Sequence, residues 1–298
     1  MEMYIWNTVI VLSKIVFYVG FSCIAGYTFF KQVFEQSESH NNLAIASLKW
    51  IRGSIVIALL ANGLWFFAST GAMAEEGIHG ALDPDMLGIM WDSSIGDGTL
   101  LRTIGLMIAI LVLISPFKLK PVVLNNYLKQ GILVSSLFLL AYTFTFIGHV
   151  SELGVFEKVL LMLHVFVMAW WFGALFPLKQ ACHEPDYEQL YSVMDKFGRQ
   201  ASIAVSLLLI AGLWLAFQLV GNVEELFSSS YGQTLLLKLA LVTSILGIAA
   251  KHKLKLVPQL KNNNGREALY KSISIEMVVA FAILSVTAGL TSVVGPAN

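Results

Sequence analysis

The strongest constraint on this chain is the alternation of apolar stretches with basic connections. Eight apolar stretches lie at residues 5–30, 51–70, 100–116, 131–148, 159–178, 201–220, 235–250 and 273–294. About 20 helical residues, each rising about 1.5 Å, cross a hydrocarbon core of about 30 Å, so each stretch is long enough to span it. The sequence therefore predicts an all-α integral membrane protein with eight transmembrane helices.

The basic residues predict how these helices are oriented. Fifteen of the nineteen Lys and Arg residues lie in or beside the connections that follow the first, third, fifth and seventh stretches. The remaining connections and the two tails carry almost none. Loops rich in Lys and Arg stay on the cytoplasmic side. We therefore expect both termini to be periplasmic, on the same side as the connections around residues 75–97, 149–158 and 221–230.

Composition excludes several classes of function. Apolar residues make up 57% of the chain and charged residues only 13%, which is too apolar for a soluble protein of 298 residues. The basic residues are spread along one membrane face and form no patch, so a nucleic-acid partner is not expected. No P-loop or catalytic constellation is found, so we expect neither an ATP-driven pump nor an enzyme. The bilayer is the first predicted partner.

Two short motifs suggest that the chain repeats itself. The tripeptide Gly-Leu-Trp at 63–65 recurs at 212–214. A glycine also stands six residues before a basic residue in both following spans, Gly96 before Arg102 and Gly232 before Lys238. Four spans per copy would make the repeats parallel, related by an axis near the membrane normal. Chance similarity between apolar segments is the alternative.

The long connection at 71–98 carries candidate metal ligands on the predicted outer side. Residues 80–94 have the pattern of an amphipathic helix lying on the membrane surface. His79, Met86 and Met90 could load a metal ion there. The alternative is that the methionines only make apolar contact with lipid.

A second group of candidate ligands lies in the fourth and fifth spans. His149 closes one span and His164 lies inside the next, so the short outer connection between them would bring the two imidazoles together. Met168 follows His164 by four residues and shares its helix face. Imidazole and thioether ligands suit Cu(I). The alternatives are a histidine that bonds a neighbouring helix or lies among lipid headgroups.

Ionisable residues inside the remaining spans require partners, because a charge in the bilayer is costly. Lys14, Lys238 and Glu276 are of this kind. Lys238 and Glu276 enter from opposite faces, and we interpret both as structural bridges. A proton or counter-charge relay linked to cation movement is the alternative, with Met107 near mid-membrane on the path of the ion.

The order of several short motifs carries a family resemblance. These are Phe-Gly-Arg at 197–199, Ala-Gly-Leu at 211–213, Tyr-Gly-Gln-Thr-Leu-Leu-Leu-Lys-Leu at 231–239, Pro258, Glu276 and Thr-Ala-Gly-Leu-Thr at 287–291. Together with Gly148-His149 and the stretch 164–173, they resemble the copper resistance protein D (CopD/PcoD) family of bacterial inner-membrane proteins. The resemblance covers residues 130–295 well and the first four spans more loosely.

The resemblance implies a multi-pass inner-membrane protein that moves copper and works beside a periplasmic copper-binding protein of the CopC type. We treat residues 1–298 as one polytopic membrane domain. Residues 1–130 form a first four-helix half, and residues 131–298 form a CopD-like core that overlaps the second half. His149 and His164 are assigned to copper from their chemistry as well as from the resemblance.

Two other functions are compatible with the same residues. Two imidazoles on neighbouring helices could hold a b-type haem for electron transfer. A haem needs both histidines at comparable depth, whereas His149 sits at a helix end and His164 lies about 9 Å inside the next span. A non-catalytic membrane partner of a periplasmic copper protein is the third possibility.

Overall fold

The computed structural model describes residues 2–34, 40–114, 126–183, 186–220 and 223–293. The side chains of residues 29–47, 114, 126, 149–150 and 223 lie outside this description. The helices are α1 (Glu2–Phe34), α2 (His40–Ala74), α3 (Gly77–Ala81), α4 (Pro84–Trp91), α5 (Ser94–Ile114), α6 (Asn126–Tyr142), α7 (Val155–Ala181), α8 (Tyr187–Leu219), α9 (Val223–Ser228), α10 (Ser230–Lys251), α11 (Val257–Gln259) and α12 (Arg266–Leu290).

Eight of these helices are long and apolar enough to cross a membrane, and no strand occurs in the described ranges. The predicted all-α membrane fold with eight spanning helices is therefore confirmed. Several helices continue past their apolar stretch. For example, α8 begins at Tyr187 because Asp186 caps it, with Oδ1 accepting hydrogen bonds from the backbone N–H groups of Glu188 at 2.8 Å and Gln189 at 3.3 Å. Apolarity marks only the part of a helix that lipid surrounds.

Helices α1 and α7 organise the packing. Helix α1 packs against α2, α7 and α12, and α7 packs in turn against α6, α8 and α12. One apolar core joins the first half of the chain to α7 and α12, with Phe17, Phe21 and Leu106 fully buried. A second core joins α7, α8, α10 and α12, with Leu175 and Leu190 at its centre.

The bundle has two chemically distinct ends. At one end, which we call the loop end, α3 and α4 connect α2 to α5, and the carboxylate of Glu2 accepts a hydrogen bond from the backbone N–H of Gly77. At the other, which we call the basic end, α7 and α10 finish with Lys179 and Lys251 in their last turns. The periplasmic placement of the loop end stays a prediction.

The connection between α2 and α5 is shorter and more ordered than the sequence suggests. Helix α2 continues to Ala74 and α5 begins at Ser94. The amphipathic helix predicted over 80–94 is limited to α4, which starts where Asp83 accepts hydrogen bonds from the backbone N–H groups of Asp85 and Met86. Helix α4 rests on the bundle through Trp91, whose ring meets Phe66 edge-on at 5.8 Å.

The two glycine positions of the suggested repeat have similar surroundings. A side chain on Gly96 would overlap the backbone of Trp91 at the end of α4, and one on Gly232 would overlap the backbone of α9. In both places a short helix lies across the start of a spanning helix. This local likeness supports the proposed repeat, which stays a prediction for the two halves as wholes.

Two buried cations of the first half are held without an acidic partner among the described residues. Lys14 donates a hydrogen bond to the Thr291 carbonyl at 3.0 Å, where the C-terminal end of α12 carries a partial negative charge. The guanidinium of Arg102 lies 4.5 Å from the ring centre of Phe17 and 4.6 Å from that of Trp65. Aromatic faces attract cations, so this cage offsets part of the cost of burial.

Helices α1 and α7 approach each other closely where Gly26 and Gly173 face each other. A Cβ on Gly173 would overlap the Ser22 carbonyl, and a Cβ on Gly26 would overlap the backbone of Gly173. Small residues allow membrane helices to approach this closely. The contact joins the first half of the bundle to α7.

We expect Gly173→Ala to destabilise the protein by about 1–3 kcal/mol, because the added methyl group meets backbone that cannot rotate away. Thermal unfolding in detergent measures the effect. Gly247→Ala is the matched control, since a Cβ there has no heavy atom within 4 Å. Equal melting temperatures for the two variants would contradict this account of the contact.

Candidate metal site

His164 lies in α7 about two and a half turns from the loop end, and its ring points at α8. Its Nδ1 is 3.1 Å from the backbone carbonyl oxygen of Leu208. A carbonyl oxygen only accepts hydrogen bonds, so Nδ1 must carry the proton and donate. In the neutral ring, Nε2 then keeps its lone pair. A backbone carbonyl that fixes the tautomer in this way is the usual support of a metal-binding histidine.

Gly212 makes room for this imidazole on α8. A Cβ at that position would lie 2.8 Å from His164 Cε1 and 3.2 Å from Nδ1. Sequence reasoning singled out Gly212 only as part of a repeated tripeptide and did not connect it with His164. The equivalent Gly63 has no heavy atom within 4 Å of such a Cβ, so the two glycines have different surroundings.

Lys238 on α10 lies close enough to His164 for its charge to act on the imidazole. No acidic side chain forms a salt bridge with Lys238 in the described part of the chain. A positive charge beside a metal ligand disfavours a bound cation and weakens the site. This is compatible with transport, which requires ligands that release the ion.

The other ligands predicted near His164 are not brought into contact with it. The side chain of His149 lies outside the described residues, so the predicted pairing of the two histidines stays a prediction. Met168 is half-buried and packs against the core formed by the first half of the chain, whereas His164 faces α8. The spacing of four residues therefore does not place both side chains against the same neighbour.

The candidate ligands of the loop end are spread over two short helices. His79 is exposed on α3, and on α4 Met86 is half-buried while Met90 is only 5% exposed. Met90 therefore packs beneath α4. Within the described ranges, no group of three or more His, Cys, Asp or Glu side chains is arranged to hold a metal ion.

Met107 lies on the outer surface of α5, with 43% of the side chain exposed. A residue on an ion path through the bundle would face its interior, so Met107 is placed poorly for the predicted role. Cys182 follows the end of α7 and is buried. Burial raises the pKa of its thiol to about 11, which keeps it protonated at neutral pH and makes it a weak metal ligand.

Glu276 on α12 has a partner that the sequence did not predict. Its Oε2 lies 3.1 Å from Nδ1 of His252, and the Nε2 of the same ring lies 2.7 Å from the hydroxyl of Ser272. The sequence predicted a structural bridge for Glu276 without naming its partner, and among the described residues that partner is His252. Lys238 and His252 are 14 residues apart, about 21 Å along a helix.

Comparison with known families covers both halves of the chain. The family model described as "Copper resistance protein D-like, N-terminal domain" matches residues 3–155. The family model described as "Copper resistance protein D" matches residues 191–290. The first match is wider than the loose resemblance expected for the first four spans, and it includes His149.

One curated relative supports the same assignment. The chain is 25% identical over 300 residues to "Copper transport protein CutJ" of Bacillus subtilis (strain 168), a match that covers 95% of this chain and 52% of CutJ. The chain thus spans about half the length of that relative. No solved structure matches. Because the two family models together account for most of its length, the chain belongs to the copper resistance protein D family.

Proposed function

We propose that this protein carries copper ions across the bacterial inner membrane as part of copper uptake or resistance, with His164 as a ligand on the way. The observation that carries the proposal is the hydrogen bond from Nδ1 to Leu208, which leaves the lone pair of Nε2 for a metal ion. Family membership and the printed name of the Bacillus relative support copper as the ion.

The loop end is the entry side in this proposal. Its connections are poor in Lys and Arg, whereas the basic end carries the positive charges that keep loops cytoplasmic. His149 is the further ligand proposed beside His164, and Met168, which packs against the core of the first half, offers a separate thioether further along the path. His79 and Met86 take copper from a periplasmic CopC-like protein, and Met90 joins them only if α4 lifts from the bundle, because it is buried there.

Cu(I) is the favoured oxidation state. Imidazole and thioether donors, which are the candidate ligands here, bind this soft ion well. The b-type haem alternative requires a second axial ligand at the depth of His164. The experiment below separates the two, because haem has an intense Soret band and Cu(I) is colourless.

We expect purified wild-type protein loaded with Cu(I) under reducing conditions to bind stoichiometric copper and to show no Soret band. Combined His149→Ala and His164→Ala substitutions should abolish this binding, because they remove both imidazoles of the site. Metal analysis and visible absorption give the two readings.

His183→Ala is the matched control, since this histidine is exposed at the basic end, where its ring meets that of Tyr270 edge-on at 5.2 Å. It should bind copper like the wild type. Equal copper content in the wild type, the double variant and the control would contradict the proposed site. A Soret band that is present in the wild type and lost in the double variant would assign the two histidines to haem.

We expect Lys238→Gln to bind Cu(I) more tightly than the wild type, by about five- to thirtyfold. At an effective dielectric constant of about 20, a nearby unit charge opposes a bound cation by about 1–2 kcal/mol. Competition with a chelator of known Cu(I) affinity measures the change. Lys196→Gln is the control, because that lysine is exposed near the start of α8. An unchanged affinity in Lys238→Gln would place copper elsewhere in the protein.

A further inference from the structure

A cavity of about 290 Å³ opens near the basic end, between α7, α8, α10 and α12. Its walls are mostly apolar, with Trp171, Leu175 and Leu178 contributed by α7. This volume has room for several water molecules, which need polar partners to be held there. The titratable and charged side chains that line it are Asp195, Arg199, His252, Lys253 and Glu276.

Three of these charges are already engaged with other groups. On α8, Asp195 and Arg199 form a salt bridge of 3.0 Å with each other. Lys253 donates a hydrogen bond to the hydroxyl of Ser202 at 2.7 Å. The side chains that α7 contributes carry no charge, so Glu276 has His252 as its ion-pair partner among the described residues that line the cavity.

The contacts of His252 suit both protonation states of its ring. Glu276 accepts a hydrogen bond from Nδ1, so the neutral ring has its lone pair on Nε2 and accepts from the Ser272 hydroxyl. When Nε2 takes a proton from a water molecule of the cavity, the hydroxyl of Ser272 needs only to rotate and accept instead. The imidazolium then forms an ion pair with the Glu276 carboxylate, which is 3% exposed.

The backbone at His252 is also unusual. Residues His252–Leu256 form a π-helical turn between α10 and α11. Such turns are rare and are common at functional sites. The π-helical turn begins immediately after Lys251, the last residue of α10. The same helical segment therefore carries Lys238 nearer the loop end and the ring of His252 at the basic end.

We propose that His252, Glu276 and Ser272 form a proton-binding site that exchanges protons with the basic end through this cavity, and that its occupancy is coupled to copper movement. The coupling rests on the proposed copper transport, whereas the proton site itself does not. The site takes one proton at His252 Nε2, with the charge of the imidazolium balanced by Glu276. Helix α10 links it to the surroundings of His164.

The proton site is tested first in the absence of copper. Protein labelled with ¹⁵N at histidine is reconstituted in lipid, and the imidazole signals are followed as the pH is varied. We expect one signal, absent from His252→Gln, to titrate reversibly and to move in Glu276→Gln. Ser272→Ala is a milder variant that keeps the ion pair but removes the hydroxyl from Nε2. If the chemical shift of the His252 signal does not change with pH in the wild type, the proposal is overturned.

Coupling is tested by Cu(I) flux into vesicles while the pH is changed only on the side that faces the basic end. We expect wild-type flux to change by up to about tenfold per pH unit, the limit for one coupled proton. The copper flux of Glu276→Gln should no longer vary with pH on that side. Glu267→Gln is the matched control, because it makes the same change on an exposed carboxylate of α12.

The outcomes separate the two proposals. Wild-type protein without any copper flux or binding would contradict copper transport, while a titrating His252 would still support the proton site. A wild-type Cu(I) flux that does not change with the pH on the side of the basic end would overturn the proposed coupling. A His252 signal that moves with added Cu(I) at fixed pH, and not with pH, would make the cavity a metal site and overturn the proton proposal.

Discussion

Every polar group inside the membrane must find its partner within the bundle, because lipid offers no hydrogen bonds. The structure holds its buried ionisable side chains differently in its two halves. In the first half, Lys14 is fixed by the end of α12, and Arg102 is held by Phe17 and Trp65 and donates from Nε to the hydroxyl of Thr143 at 3.2 Å. Such charges have little freedom to bind or release an ion.

The second half leaves more of its polar groups available. His164 uses one ring nitrogen for Leu208, and His252 uses both nitrogens for groups that tolerate either protonation state. Helices α8 and α10 also bury a much smaller share of their apolar windows, 11% each against 61% for α1. Because fewer contacts within the bundle restrain these two helices, we expect their movement to cost less than that of α1.

The sequence predicted the features of the fold that depend on segment length and apolarity. It did not predict the contacts that depend on which way a side chain faces. The eight spans follow from apolar stretches alone, and His164 stood out because an ionisable residue in a span is costly. The exposure of Met107 was not predicted, because a spanning helix is apolar all round and its pattern does not reveal which face meets the bundle. The contact between His164 and Gly212 depends on how α7 packs against α8. The spacing of residues along one helix gives no information about that packing.

The partner of Glu276 was missed for a related reason. The apolar stretch was predicted to end at residue 250, whereas the helical chain continues through a π-helical turn in which the ring of His252 contacts Ser272 of α12. This extension matters for mechanism. One helix now carries Lys238 beside the candidate copper ligand and His252 about 21 Å further along, with mostly apolar residues between them. In the proposed coupling, α10 is the element common to both sites and can move as a unit or at its π-helical turn. A change of charge at one site would then act on the other through the position of α10, and no continuous path for ions or protons between the two sites is required.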